Sequence, residues 1–260
     1  MKSPLLNIDK GERIYYDVGM EMLLKQIKID EQAGDEYPFN LPLFSKGLSL
    51  MLTSPITFIV GENGSGKSTL LESLAHAVGF NTLGGNKNHI YTAGHADDLK
   101  LADVMHLVWS VKQTQGFFFR AETFFEFAKN IDNIAGDHRS SLYHAYGGKS
   151  LQLQSHGESF MAFFENKVKR GLYILDEPEA ALSPEKQLAL ISILNNLAKT
   201  GECQFIIATH SPLLIATPNS TLFEINDGKL IKKPYYQTKQ FSLYKDFCNA
   251  PDHFVHYLCN

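Results

Sequence analysis

The run Gly61-Glu62-Asn63-Gly64-Ser65-Gly66-Lys67-Ser68 constrains this chain more than any other stretch in it. It fits the pattern G-x-x-x-x-G-K-[ST] at every fixed position. The apolar, β-branched run Ile56-Thr57-Phe58-Ile59-Val60 precedes it and reads as a buried strand. Leu70, Leu71, Leu74 and Ala75 follow at helical spacing. A strand, a glycine-rich turn and a helix start let successive backbone N–H groups wrap a polyphosphate. The helix N-terminus adds its partial positive charge to the same anion. The donors are expected from Glu62, Asn63, Gly64, Ser65, Gly66, Lys67, Ser68 and Thr69. Lys67 would reach the β- and γ-phosphates, and the Ser68 hydroxyl would be a ligand of Mg²⁺. The reading is a nucleoside triphosphate site.

The segment Leu172-Tyr173-Ile174-Leu175-Asp176-Glu177-Pro178 is an apolar run that ends in adjacent acids. A buried strand stopping at a carboxylate presents it at the C-terminal edge, where parallel α/β sheets bind ligands. Asp176 would hold Mg²⁺, and Glu177 would act as general base on the attacking water.

At this point the chain resembles the ABC-type P-loop ATPases, specifically the soluble SMC/RecF-like branch and its small stand-alone bacterial members. The resemblance covers about residues 24–230 and rests on ordered motifs. After the phosphate loop, Ser155-His156-Gly157-Glu158-Ser159 looks like the family signature, with His156 where glycine is usual. Leu175-Asp176-Glu177-Pro178 follows, then Ala181-Leu182-Ser183-Pro184 at the place of the D-loop. Last, Phe205-Ile206-Ile207-Ala208 runs into Thr209-His210-Ser211, where the family has its switch histidine. The resemblance implies an α/β fold: a P-loop head with a mostly parallel core sheet, a small antiparallel β part and a helical lobe. It implies ATP and Mg²⁺ as cofactors, ATP hydrolysis, and a homodimer that closes head-to-tail around two nucleotides. Ser155, Gly157 and Glu158 would face the γ-phosphate held by the other subunit, and His210 would contact that phosphate from its own side. Catalysis falls to Lys67, Glu177 and His210. Arg120 stands where the family has a metal-sensing glutamine, with Glu122 beside it and Gln113 and Gln115 as alternatives.

Residues 1–22 read as an N-terminal extension and 23–260 as the ATPase domain, with the helical lobe at about 99–165. Residues 31–49 carry turn signals with Tyr37, Phe39 and Phe44, one of which could pack near an adenine. The interval from Lys67 to Ser155 is too short for the long coiled-coil arm of SMC proteins. Asn226-Asp227-Gly228 marks a hairpin, and Pro251 breaks a helical tail. Net charge is −4 and the pI about 6.2, so no global basic field points to nucleic acid. The cysteines, Cys203, Cys248 and Cys259, show no metal spacing and fit a reducing cytoplasm. No window approaches the roughly 20 apolar residues of a membrane span. The expected function is a cytoplasmic ATPase coupling closure to an unknown protein client or to DNA, in repair, defence or a toxin–antitoxin pair. The alternatives are a transporter's nucleotide-binding subunit and a slow nucleotide-dependent switch.

Overall fold

A computed structural model describes residues 22–31, 36–81, 96–121, 123–124 and 154–259 of the chain. In chain order the first elements are β1 (Leu24–Ile29), β2 (Leu48–Met51), β3 (Ile56–Val60), α1 (Lys67–Val78), α2 (Ala96–Asp103), β4 (Met105–Trp109) and β5 (Gly116–Arg120). Then come α3 (His156–Lys167), β6 (Gly171–Asp176), α4 (Pro184–Lys199), β7 (Cys203–Ala208), β8 (Ser220–Asn226), β9 (Lys229–Lys232), α5 (Lys239–Asn249) and α6 (Pro251–Cys259). No described helix is long and apolar enough to cross a membrane.

The larger sheet has the order β5-β6-β7-β3-β8-β9, parallel except for the β8–β9 hairpin. Its central strands are apolar on both faces because both faces are covered. Phe58, Phe117, Phe119, Tyr173, Leu175, Phe205 and Ile207 point into one core beneath α3 and α4. Ile59, Phe118, Leu172, Ile174 and Ile206 point into the other, against α1 and the smaller sheet. That alternation turns a continuous hydrophobic run into two opposed layers. The smaller sheet, β2-β1-β4, is antiparallel. Buried Gln204 on β7 stitches it to the larger one: its side chain accepts from Leu24 N at 2.8 Å and donates to Leu24 O at 2.9 Å. This pairs both ends of a core amide, which offsets the cost of burying it.

The expected fold class is borne out, including the antiparallel part and the hairpin at Asn226–Lys229. The lobe boundary needs correction. Residues 105–109 and 116–120 are not lobe but strands of the two sheets, and α2 contributes Leu101 to the core against α1. Phe117-Phe118-Phe119 belongs to β5. Paired with β6, the three rings divide between the two cores. The rest of the expected lobe from 125 to 153, the extension up to residue 21, and Glu122 lie outside the described residues.

Phe160, Phe163 and Phe164 recur along one face of α3 and meet β5 through ring contacts. Phe119 lies 4.4 Å from Phe160 and Phe117 4.6 Å from Phe163, centroid to centroid. Each such buried ring contributes roughly 2–3 kcal/mol of apolar transfer energy. Their stripe fixes the direction in which the N-terminus of α3 points.

Candidate functional site

Parallel pairing brings the C-terminal ends of β5, β6, β7 and β3 to one edge of the sheet. The residues leaving those ends are Arg120, Asp176–Glu177, Thr209–His210 and Gly61. A cleft of about 400 Å³ opens there, lined by Tyr37, Leu41, Asn63, Gly64, Gly66, Lys67, Ser68, Thr69 and Glu177.

The phosphate loop has the geometry its sequence implies. Gly66 caps α1 with φ 96°, a left-handed conformation that side chains resist, and a Cβ there would press on the Phe44 ring at 3.3 Å. No side chain caps α1, so its first amides remain available to an anion. Lys67 is 4% exposed and arches back to donate to Gly61 O at 2.9 Å and Glu62 O at 3.0 Å. Burial pulls its ammonium below the ordinary lysine value, against the carboxylates of Glu177, Asp176 and Glu179, which raise it. An arriving polyphosphate would add negative charge beside this buried cation. Glu62 contributes a carbonyl rather than its exposed carboxylate, which lies 3.6 Å from Lys239 Nζ. Ser65 N–H closes the loop onto Glu62 O at 3.2 Å, while its hydroxyl is shielded without a partner among the described residues. The Tyr37 hydroxyl meets that of Thr69 at 2.8 Å, so Tyr37 lines the cleft whereas Phe39 and Phe44 belong to the core.

Ser68 and Asp176, far apart in sequence, meet across the sheet edge: Ser68 Oγ donates to Asp176 Oδ1 at 3.2 Å. Burial pushes the Asp176 carboxyl up to about 6, partly offset by the Ser68 hydroxyl and the Arg120 guanidinium. A buried carboxylate beside a hydroxyl suits a hard divalent cation, which lowers the cost of the charge and takes oxygen ligands. No group of three or more His, Cys, Asp or Glu suited to a metal occurs among the described residues. Mg²⁺ held here would therefore rely on phosphate and water oxygens to complete its shell.

Glu177 begins the turn after β6 with φ 48°, left-handed and costly for a non-glycine residue. Nothing in the sequence signals this strain. It places the Glu177 side chain in the cleft, with Oε1 3.5 Å from His210 Nε2. That separation and its alignment fall short of a hydrogen bond, and solvent does not reach the nitrogen, which has no partner among the described residues. Arg120 pairs with Glu72 of α1 at 2.5 Å, and its Nε lies 4.0 Å from Asp176 Oδ2. Gln113 and Gln115 precede β5 and so lie at the opposite end of the strand from the cleft, whereas Arg120 lies at the cleft end.

Ser155 caps α3. Its hydroxyl accepts from Glu158 N at 3.3 Å, and the Glu158 carboxylate accepts from Ser155 N at 2.8 Å, a reciprocal capping box. Glu158 thus has a structural partner already. Gly157 is required by space, because a Cβ there would sit 2.9 Å from Ala181 O. None of Ser155, Gly157 and Glu158 lines the cleft of its own chain. Sequence reasoning missed Glu72 and Glu179, whose partners lie on distant elements.

Two family models match the chain. One, described as "AAA domain", spans residues 40–137, and the other, "AAA domain, putative AbiEii toxin, Type IV TA system", spans 160–216. The thiamine import ATP-binding protein ThiQ of Histophilus somni is 23% identical over 67% of this chain and 85% of its own length. The cobalt import ATP-binding protein CbiO of Salmonella paratyphi A is 26% identical over 72% of this chain and 73% of its own. The SMC head domain from Thermotoga maritima overlays 82% of this chain and 99% of that one, with 15% identity and a TM-score of 0.42. The AAA-domain and ABC matches support the resemblance to ABC-like P-loop ATPases.

Proposed function

We propose that this ABC-like ATP-binding domain hydrolyses ATP, with Mg²⁺, in a head-to-tail dimer acting in the cytoplasm. The observation that supports it best is the convergence at one cleft of Lys67, the Ser68–Asp176 pair and the facing Glu177 and His210. Phosphate-loop amides and the Lys67 ammonium hold the polyphosphate. Ser68 and Asp176 would hold Mg²⁺, which when bound neutralises phosphate charge. Glu177 Oε1 takes the proton of an attacking water, and His210 Nε2 orients the same water or the terminal phosphate. The signature at α3 completes the site of the opposite subunit, consistent with its position outside its own cleft. Closure then passes to a client protein or to DNA. The match to a toxin-type AAA family supports a toxin–antitoxin or defence role.

Glu177→Gln tests the chemistry: nucleotide binding persists while turnover falls roughly 10²-fold or more. Lys67→Ala instead weakens binding, because the phosphates lose the loop's charged donor. Equal turnover in wild type and Glu177→Gln would refute the assignment. Sedimentation of Glu177→Gln with ATP and Mg²⁺ tests the dimer, and a persistent monomer at tens of micromolar refutes it. The importer names of the curated relatives favour a second reading, a transporter's nucleotide-binding subunit. It predicts co-purification with a membrane protein.

A further inference from the structure

We propose that Glu179 is a positioning residue that sets His210 and couples it to the Ala181–Ser183 stretch. The inference deepens the hydrolysis reading above and rests on it. Glu179 lies in the 3₁₀ turn Pro178–Ala181 that follows Glu177. Both its oxygens are used on the other strand exit. Thr209 Oγ1 donates to Oε2 at 2.7 Å, and the His210 backbone N–H donates to Oε1 at 2.5 Å. Thr209 N–H still bonds Ile59 O at 3.2 Å, so His210 is the first residue past β7 whose amide depends on a side chain. A carboxylate gripping two donors makes charge-assisted bonds, about twice as strong as neutral ones.

A second latch lies beside the first. Thr209 Oγ1 accepts from Ser211 N at 3.0 Å, and Ser211 Oγ donates to Gln187 Oε1 at 2.6 Å. Gln187 Nε2 returns to Leu182 O at 3.1 Å. The stretch after Glu177 is thereby tied to the Thr209–Ser211 turn at both ends. Ala181 O in that stretch abuts Gly157 at the start of α3. A displacement at the signature helix or at Ala181–Ser183 is transmitted through Glu179 to the His210 backbone. The His210 ring is free to respond, since its Nε2 has no hydrogen bond among the described residues and stands 3.5 Å from Glu177 Oε1.

The test is a double-mutant cycle with an independent spectroscopic readout. Glu179→Gln keeps the shape but turns one acceptor into a donor facing a donor. We expect kcat to fall roughly 10-fold or more, the scale of a small misplacement at a reacting centre, with nucleotide affinity within about 2-fold. In a His210→Ala background the same change should alter kcat less than about 2-fold, because the group it positions is gone. The His210 imidazole nitrogen shifts, read by NMR without nucleotide, should move in Glu179→Gln. Unchanged kcat, an equal loss in both backgrounds, or an affinity loss matching the kcat loss each overturns the proposal. Should Glu179→Gln fail to fold, Thr209→Val removes one donor and enters the same cycle. A wild type without turnover refutes the hydrolysis reading instead. The NMR shifts then decide the coupling alone, and an unmoved His210 ring rejects it.

Discussion

β5 and β7 flank β6 and release the chain at the same edge of the sheet, but their exits are held by different forces. Past β7, Thr209, His210 and Ser211 are fixed by short directional hydrogen bonds that they donate to Glu179 and Gln187. At the end of β5, Arg120 donates a charged hydrogen bond to Glu72 Oε1 at 2.5 Å and stands 4.0 Å from Asp176. Two bonds from neutral donors to one carboxylate specify position. An ion pair beside a cation site specifies potential, and an arriving divalent cation competes with it directly. On the proposed function, the β7 exit would place a group and the β5 exit would respond to a charge.

The largest effect expected from this contrast is on turnover. His210→Ala should lower kcat by roughly 10²-fold while leaving nucleotide affinity near its original value, whereas Arg120→Gln should spare kcat within a few-fold. Steady-state hydrolysis alongside fluorescent-nucleotide binding checks this, and the contrast breaks if the two variants behave alike.

Next is the pH dependence of stability in metal-free protein. The folded-state carboxyl of Asp176 is raised from 3.8 to about 6, so the folded chain keeps a proton that the unfolded chain has already lost. Stability from this group is highest below 3.8 and declines as pH rises through about 6. The stability of wild type relative to Asp176→Asn should accordingly fall by roughly 2–3 kcal/mol across that window. Urea titrations at pH 4, 5, 6 and 7 measure it, and a flat difference contradicts the burial argument.

Glu72→Gln should cost about 2 kcal/mol, because it leaves Arg120 without its nearest partner in a site only 28% exposed. Gln187→Ala at the other exit should cost nearer 1 kcal/mol, the scale of neutral hydrogen bonds. Denaturant midpoints compare the pair. The remaining shift concerns the cation. Arg120→Gln removes a positive charge beside Asp176 and should tighten half-saturation by Mg²⁺ up to roughly 10-fold at pH 8, the Coulomb gain being cut by Glu72 and by solvent. A Mg²⁺ titration of nucleotide binding reads it, and weaker Mg²⁺ binding would mean that Arg120 serves the phosphates instead.

Where a function depends on backbone shape over a short span, it was legible. The phosphate loop, the apolar run into Asp176 and the Ser155 cap each lie within about ten residues, and their spacing carries the geometry. The Asp227-Gly228 hairpin is the same case. Arg120 was located, but its partner Glu72 was not, because an i-to-distant-j ion pair leaves no local pattern. The lobe boundary at about 99 ran too early, because an apolar run such as 116–120 reads alike in a lobe and in a strand covered on both sides.

The sequence alone therefore determined that there is a phosphate-binding loop, which acids and histidine stand at strand ends, and in what order they come. Those are properties of contiguous residues and of strand and helix periodicity. Only the tertiary structure decided that β7 lies between β3 and β6, so that Ser68 meets Asp176 and His210 faces Glu177. It also decided that Glu177 accepts a left-handed backbone and that Glu179 reaches across to the next strand's exit. Strand order and long-range contacts arise from burying two faces of one sheet at once, a condition on the whole chain that no local segment encodes.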